Sequence, residues 1–288
     1  MRSPNLVFQF DDTATPDGRA ELCRLIHDVF EVDVSPLDRL GHDPSIISFG
    51  WWQAGELIAN VSLYRRELWL AGKQVEAFGV QSVAVRPEWR GRGLFRDLLT
   101  RALDYADARV ELVILVTGTP DLYTPFGFRS VVESSFLGQV SPAGARQGYR
   151  RLSLDREEDA SLLRDLFSRR TPVSLVCAAR DHPALFFLKA IESPDIELVH
   201  LPDLDAIVAI DNREQGALIL LDVVAPAIPP LDMIAATLGN EGKCVRVNIT
   251  PDRLAWNPAQ IVPANTGYMV RGHYAPEGQA FRLSPMRI

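Results

Sequence analysis

The spacing of apolar residues divides the first part of the chain, up to about position 140, into recognisable elements. LVFQF (Leu6–Phe10) reads as a strand. In the following GRAELCRLIHDVFEV, Leu22, Leu25, Ile26 and Phe30 recur at helical spacing. SPLDRLGHDP predicts a short helix or loop. SIISFGWW, LIANVSLYRRELWL and QVEAFGVQSVAV then read as three strands. The small-residue turns QAGE and LAGK between them predict an antiparallel meander. Trp51 and Trp52 fall on opposite faces of their strand, open either to core packing or, for one of them, to lining a pocket. GLFRDLLTRALDYADA predicts a helix, with Leu94, Leu98 and Ala102 in one stripe and Leu99, Leu103 and Ala106 beside it. VELVILVT is a continuous apolar run, as in a strand buried on both faces. DLYTPFG predicts a short helix or turn, and FGFRSVV begins another strand.

After a lapse into Gly, Pro, Ala and Arg over VSPAGARQGYRR, which reads as an interdomain linker, the pattern starts again. RLSLDREEDASLLRDLF has the strand-then-helix form of LVFQFDDTATPDGRAELCRLI. LILLDVVAP matches GVQSVAVRP and sets Pro226 against Pro87. VRVNITPD matches ILVTGTPD and sets Pro251 against Pro120. The order is kept across three segments, which favours two related domains, residues 1–142 and 150–288. The second copy is shorter by eight residues between its central strand and the next, where the first copy carries EWRGRG.

Charge narrows the function classes. The net charge is −7 over 288 residues, so a bulk basic surface for nucleic acid is not supported. Cys23, Cys177 and Cys244 are few, odd in number and far apart. They predict reduced thiols and neither a disulfide framework nor a zinc site. Cys23 and His27 share a helix face, and both read as structural, so no metal is expected. The N-terminal residues carry no signal-type apolar run, and no apolar stretch is long enough to cross a membrane. A cytoplasmic protein without membrane attachment is the expectation, with homo-oligomerisation left open.

Against that acidic background, PEWRGRGLFRDLL gathers positive charge at one strand-to-helix turn. Arg86, Arg90, Arg92 and Arg96 fall in eleven residues. First-turn N–H groups of a helix lack intrahelical acceptors, and the helix dipole makes their point of convergence electropositive. Gly91 and Gly93 let a ligand approach the backbone, and arginines add charge-assisted bonds to phosphate oxygens. The turn suits an anion, most naturally a pyrophosphate. No GK[ST] ends it, so it is not a Walker loop, and GxGxxG is absent, so it is not a Rossmann fingerprint.

Arg90-Gly91-Arg92-Gly93-Leu94-Phe95 after a central strand resembles the acetyl-CoA motif of the GNAT acetyltransferase superfamily, Q/R-x-x-G-x-G/A. Tyr123-Thr-Pro-Phe-Gly127-Phe128 is similar to that family's second signature, an aromatic four residues before a Gly-aromatic pair. Phe95 departs from the usual Gly or Ala. A bulky residue there resembles the branch typified by the enhanced-intracellular-survival acetyltransferases, tandem GNAT domains followed by a sterol-carrier-like domain; over these 288 residues two domains are expected and not that third.

The resemblance implies an α/β (α+β) chain of tandem GNAT folds, each a mixed, mostly antiparallel central sheet flanked by helices. It implies acetyl-CoA as co-substrate and a primary amine of a small molecule or peptide as acceptor. The pantetheine arm would lie along Val83, Ala84 and Val85. The pyrophosphate would sit on the amides of Gly91, Arg92, Gly93, Leu94, Phe95 and Arg96, with Arg90 at its rim. The Val83 N–H would stabilise the oxyanion, and Tyr123 would protonate the departing thiolate. Glu76, on the same strand, is a candidate to relay a proton through water. The second copy reads VVAPAIPPLDMIAATL at the equivalent turn. It has no glycine and no arginine, and Pro226, Pro229 and Pro230 remove N–H donors, so a degenerate domain without CoA there is expected. A non-catalytic acyl-CoA sensor and a tandem-GNAT aminoacyl or acyl transferase are the alternatives.

Overall fold

The computed structural model describes residues 6–142, 148–180, 182–214, 216–240 and 242–287. The expected linker over residues 140–151 falls in part on residues 143–147, which lie outside the described residues. The chain forms two compact units. The first comprises the described residues of 1–66, 76–130 and 269–273, and the second those of 67–75, 131–268 and 274–288.

In chain order the first half runs β1 (Val7–Phe10), α1 (Pro16–Phe30), α2 (Leu37–Leu40), β2 (Ile47–Gln53), β3 (Glu56–Leu70), β4 (Lys73–Val85), α3 (Leu94–Asp107), β5 (Val113–Val116) and β6 (Arg129–Ser130). There follow β7 (Glu133–Gln139), β8 (Arg150–Arg151), α4 (Glu157–Arg169), β9 (Cys177–Ala179), α5 (Ala184–Glu192) and β10 (Ile196–Leu201). The chain ends with β11 (Ala206–Asp211), β12 (Ala217–Val224), α6 (Leu231–Thr237), β13 (Cys244–Val247), β14 (Gln260–Ala264) and β15 (Tyr268–Arg271).

The first sheet has the order β1-β2-β3-β4-β5-β15-β6, with β9 pairing the far end of β3. β2 is antiparallel to β1 and β3, whereas β4 and β5 are parallel. The second sheet has the order β14-β7-β13-β12-β11-β10-β8, with one parallel pair, β12 and β13. Both sheets are therefore mixed and mostly antiparallel, and each puts its parallel pair at the central strand. Sequence order does not coincide with unit membership. β7, which precedes the expected linker, pairs with β13 and β14 of the second sheet, while residues 269–271 of β15 complete the first. The apolar pattern predicts elements but does not record which sheet a short strand joins.

In the first unit a helix covers each face of the sheet. α3 buries Leu94, Leu98, Leu99, Ala102, Leu103 and Ala106, the predicted stripe. They pack against Phe49, Ile58, Val61, Phe78, Val80, Val113 and Leu115. α1 starts at Thr15, whose hydroxyl accepts from the Gly18 N–H at 3.0 Å, with Pro16 in its first turn. It places Leu22 and Leu25 against Trp52, Leu57 and Ala84 on the opposite face. The two tryptophans thus go to opposite faces, and both pack. Trp51 also donates its indole N–H to Asp97 at 3.0 Å.

The repeat is visible in the element order. β10-β11-β12-α6-β13 reproduces β2-β3-β4-α3-β5. The missing eight residues come mainly from the helix: α3 has 14 residues and α6 has 7. The turns before them, residues 86–93 and 225–230, differ by two.

Candidate active site

β4 is interrupted near its C-terminal end. Gln81-Ser82 breaks its apolar run, and Ser82 takes φ 52°, in the left-handed region that an L residue seldom adopts. Such a residue bulges from the ladder and re-aims the peptide that follows it, here that of Val83. β4 also outruns its parallel neighbour. The register pairs Phe78 with Val113 and Gly79 with Ile114, so Val116, the last residue of β5, falls opposite Gln81. Val83, Ala84 and Val85 lie beyond the end of β5. On that side they present strand edge, the surface on which an extended ligand can add main-chain hydrogen bonds.

From Val85 the chain makes a 3-10 turn over Pro87–Trp89, reaches Gly91 and enters α3 at Gly93. Gly91 (φ 73°) and Gly93 (φ 80°) are both left-handed, and no heavy atom lies within 4 Å of where a Cβ would stand on either. The turn needs glycine for its backbone and leaves the space beside it open. No side chain caps α3. Asp97, the acid in its first turn, is engaged by Trp51 and by Arg101, the latter at 2.8 Å. Among the described residues the N–H groups of Gly91 through Arg96 find no acceptor. That is the donor cluster an anion would fill.

The four arginines divide. Arg86 is buried; its Nε donates to the Leu57 carbonyl at 3.0 Å, and its guanidinium contacts Asp28 at 2.7 Å and Glu56 at 3.0 Å. It anchors the end of β4 and takes no part in the turn's anion-facing surface. Its hydrogen bond holds the Asp28 carboxyl below the usual range. Arg90, Arg92 and Arg96 are exposed. Arg90 donates to the Val85 carbonyl at 3.1 Å, Arg92 stacks on Trp89 at 4.5 Å, and Arg96 lies over Phe126 at 5.8 Å.

Tyr123 sits between two 3-10 turns, Pro120–Leu122 and Thr124–Phe126. Its ring meets Phe95 edge-on at 5.6 Å and Phe128 at 6.1 Å, and Phe95 also meets Phe126 at 6.0 Å. Phe95, the departure in the motif, therefore joins the first turn of α3 to the loop of the second signature. Only 7% of Tyr123 is exposed, and burial pushes its phenol up to about 12. A second support comes from far along the chain. Arg271 of β15 donates to the Phe126 carbonyl at 2.9 Å and pairs with Asp107 at the end of α3. Nothing in the spacing of the sequence marks Arg271 for that task.

Glu76 stands apart. It is exposed and precedes Val83 by seven residues, about 23 Å along a strand that rises roughly 3.3 Å per residue. That span is too long for a direct proton transfer from Glu76 to the end of β4. No group of three His, Cys, Asp or Glu side chains able to hold a metal occurs among the described residues. No described helix is long and apolar enough to cross a membrane.

In the second unit the equivalent region is built differently. β12 and β13 stay paired to Leu220 and Val247, and the Asn248 N–H continues onto the Leu220 carbonyl at 2.8 Å. Past that point residues 282–284 bond both to β12 and to the loop that follows β13. The Thr250 N–H donates to the Arg282 carbonyl at 3.0 Å, and the Ser284 hydroxyl donates to the Leu221 carbonyl at 3.2 Å.

Residues 12–131 match the family model of an acetyltransferase (GNAT) domain. The chain superposes on a conserved Enterococcus faecalis protein with TM-score 0.62 at 12% identity, over 94% of this chain and 73% of that one. On Eis1 of Mycobacterium abscessus the TM-score is 0.60 at 16% identity, over 93% and 73%. On a GCN5-related N-acetyltransferase of Kribbella flavida it is 0.54 at 19% identity, over 93% and 72%. No curated protein matches the sequence. The bulged central strand and the glycine turn both lie within the residues that match this domain model. The chain as a whole has the tandem GNAT fold, with a second mixed sheet repeating the first.

Proposed function

We propose that the protein is an acetyl-CoA-dependent N-acetyltransferase that acts on a primary amine of a small molecule or peptide in a ternary complex. One observation carries this reading. Two left-handed glycines with open space beside them lead into an uncapped helix, where β4 has outrun its neighbour. A cradle of bare backbone fits a pyrophosphate, and a Cβ at either glycine would fill it. Acetyl-CoA supplies the thioester whose acetyl group passes to the amine.

In this reading the amides of Gly91 through Arg96 hold the pyrophosphate, and Arg90, Arg92 and Arg96 swing from their present contacts to its rim. Val83, Ala84 and Val85 bind the pantetheine arm by main-chain hydrogen bonds. The Val83 N–H donates to the carbonyl oxygen as that oxygen gains negative charge. The amine nitrogen forms the new C–N bond, the C–S bond breaks, and the sulfur receives the phenol proton of Tyr123. The phenol holds its proton across the neutral range, and its burial, which pushes it up to about 12, keeps it so. The same dry surroundings raise the thiol's own pKa, which narrows the gap across which that proton moves. With Glu76 remote, water takes the proton released by the amine and returns one to the Tyr123 phenolate, which closes the cycle with amide and free thiol as products. The prolines and the bridging segment of the second unit support a single acyl-CoA site per chain.

Calorimetric titration with acetyl-CoA, followed by a thiol-release screen over primary amines, tests the proposal. Binding with amine-dependent thiol release is expected. No binding at millimolar acetyl-CoA overturns it. Binding without release from any amine favours the sensor instead.

A further inference from the structure

The bulge that re-aims Val83 is held from outside β4. Ser82 is a serine in the left-handed region (φ 52°), a conformation that persists only when its surroundings impose it. Its carbonyl oxygen, turned out of the ladder, needs a donor. Asn60 of β3, 1% exposed, supplies it: the Nδ2 group donates to the Ser82 carbonyl at 2.8 Å and to the Ser62 hydroxyl at 2.8 Å. The amide has one sensible orientation. A carbonyl can only accept, so nitrogen must face Ser82, and the Asn60 Oδ1 is left buried without a protein partner. Leaving a buried acceptor unmade is a cost that an apolar residue would avoid. The tyrosine hydroxyl of Tyr64 closes the group, 3.5 Å from the Ser82 hydroxyl.

The second copy repeats the arrangement with other atoms. Its central strand pairs Ala209 with Asp222 and then Ile210 with Leu220, so Leu221 is the extra residue. Leu221 precedes Pro226 by as many positions as Ser82 precedes Pro87, so the two bulges are equivalent in the repeat. There the bulge carbonyl takes the Ser284 hydroxyl. A side-chain donor on the bulge carbonyl thus recurs at both bulges, and in the first unit it comes from the neighbouring strand.

We propose that Asn60 is a positioning residue for acetyl transfer: by clamping the Ser82 carbonyl it fixes the bulge, and with it the direction of the Val83 N–H toward the thioester carbonyl. This rests on the acetyltransferase reading above. The clamp acts through the backbone and touches neither substrate. Misdirecting one preorganised donor lowers kcat about tenfold to hundredfold while leaving the binding of the rest of the molecule in place.

The test is an isotope-edited infrared difference spectrum of acetyl-CoA labelled with carbon-13 at the acetyl carbonyl, bound to the full chain. It needs no acceptor amine. In the wild type the carbonyl band shifts to lower frequency on binding. In Asn60→Ala it returns toward the free value, with acetyl-CoA affinity within about threefold of wild type. Should Asn60→Ala not fold, Asn60→Ala/Ser82→Gly replaces it. Glycine adopts the left-handed conformation without steric cost, so the unheld bulge still forms and gives a smaller, broadened shift. A wild-type band in either variant overturns the clamp alone, as does binding to the wild type with no shift. Failure of the wild type to bind acetyl-CoA overturns the acetyltransferase reading together with it.

Discussion

Replacing Tyr123 by phenylalanine separates chemistry from architecture at this site. The ring is wedged edge-on against Phe95 and Phe128, and phenylalanine preserves those contacts. The hydroxyl has no protein partner among the described residues, so its loss strands nothing. The stability change is therefore under about 1 kcal/mol. The hydroxyl is also the only part of Tyr123 that the proposed proton transfer uses. A positioned general acid contributes about 10² to 10⁴ in rate, or about 3 to 5 kcal/mol of barrier. The expected result is a fall in kcat of that order, an acetyl-CoA KM within about twofold of wild type, and an unchanged melting temperature. The pH profile adds a second check. An acid works only while protonated, so its contribution is present below its pKa and lost as pH rises through it. With the phenol pushed up to about 12, Tyr123 imposes no alkaline limb on kcat below about pH 10. Thiol release measured from pH 6 to 10 in both proteins decides the matter. Equal kcat in Tyr123→Phe removes the residue from the mechanism, and a limb near pH 8 that vanishes in the variant refutes the argument from burial.

Other perturbations probe the turn and the fold. Gly93→Ala forces a Cβ onto a residue at φ 80° and into the open cradle; it should cost about 1 to 3 kcal/mol of stability and weaken acetyl-CoA at least tenfold by calorimetry, with native circular dichroism. Arg86→Met and Arg90→Ala should fail in different ways. The first loses about 1 to 3 kcal/mol in urea unfolding, because it removes the buried donor to the Leu57 carbonyl; the second keeps stability and loses acetyl-CoA affinity, more at low salt than at high. Tyr64 and Tyr123 are both pushed up to about 12 by burial. An unfolded tyrosine ionises near 10, so above that pH the unfolded state holds fewer protons, and urea-measured stability should fall as pH rises from about 10 to 12. Titration to saturation should give one acetyl-CoA per chain; a stoichiometry of two would overturn the assignment of the proline turn as non-binding.

Much of the fold was legible because its signals are periodic. The stripe on α3, the meander of β2 to β4 and the repeat of segments in a kept order all follow from which residues must be buried. The glycine turn was legible because few residue types can adopt its backbone. The rest was hidden for physical reasons. Arg86 looks like its three neighbours in sequence, and only the burial of strand β4's end separates an anchoring arginine from exposed ones. Glu76 shares a strand with Val83, but strand geometry puts it at the wrong end. The exchange of β7 and of residues 269–271 between sheets leaves no local mark, since a short strand carries the same alternation whichever sheet it joins. The Asn60 clamp had a faint signal in the polar pair Gln81-Ser82, yet a bulge needs φ values to be seen.

The two copies separate what the fold shares from what the proposed reading needs for binding. Both keep the mixed sheet, the parallel pair beside the central strand and the bulge on that strand. In the proposed reading those features are therefore not sufficient for an anion site. What differs is the turn and the space after it. In the first copy glycines at φ 73° and 80° expose helix amides, and β4 runs free past β5. In the second, Pro226, Pro229 and Pro230 have removed donors from the turn, the helix is half as long, and Thr250 and Ser284 tie residues 282–284 to β12 and to the loop after β13. The bulge carbonyl of Leu221 is satisfied by that same segment, so the hydrogen bond that would position a donor peptide in one copy closes the gap in the other. A bulge costs a ladder bond wherever it occurs. The second copy recovers that cost in stability, and in the proposed reading the first recovers it in catalysis.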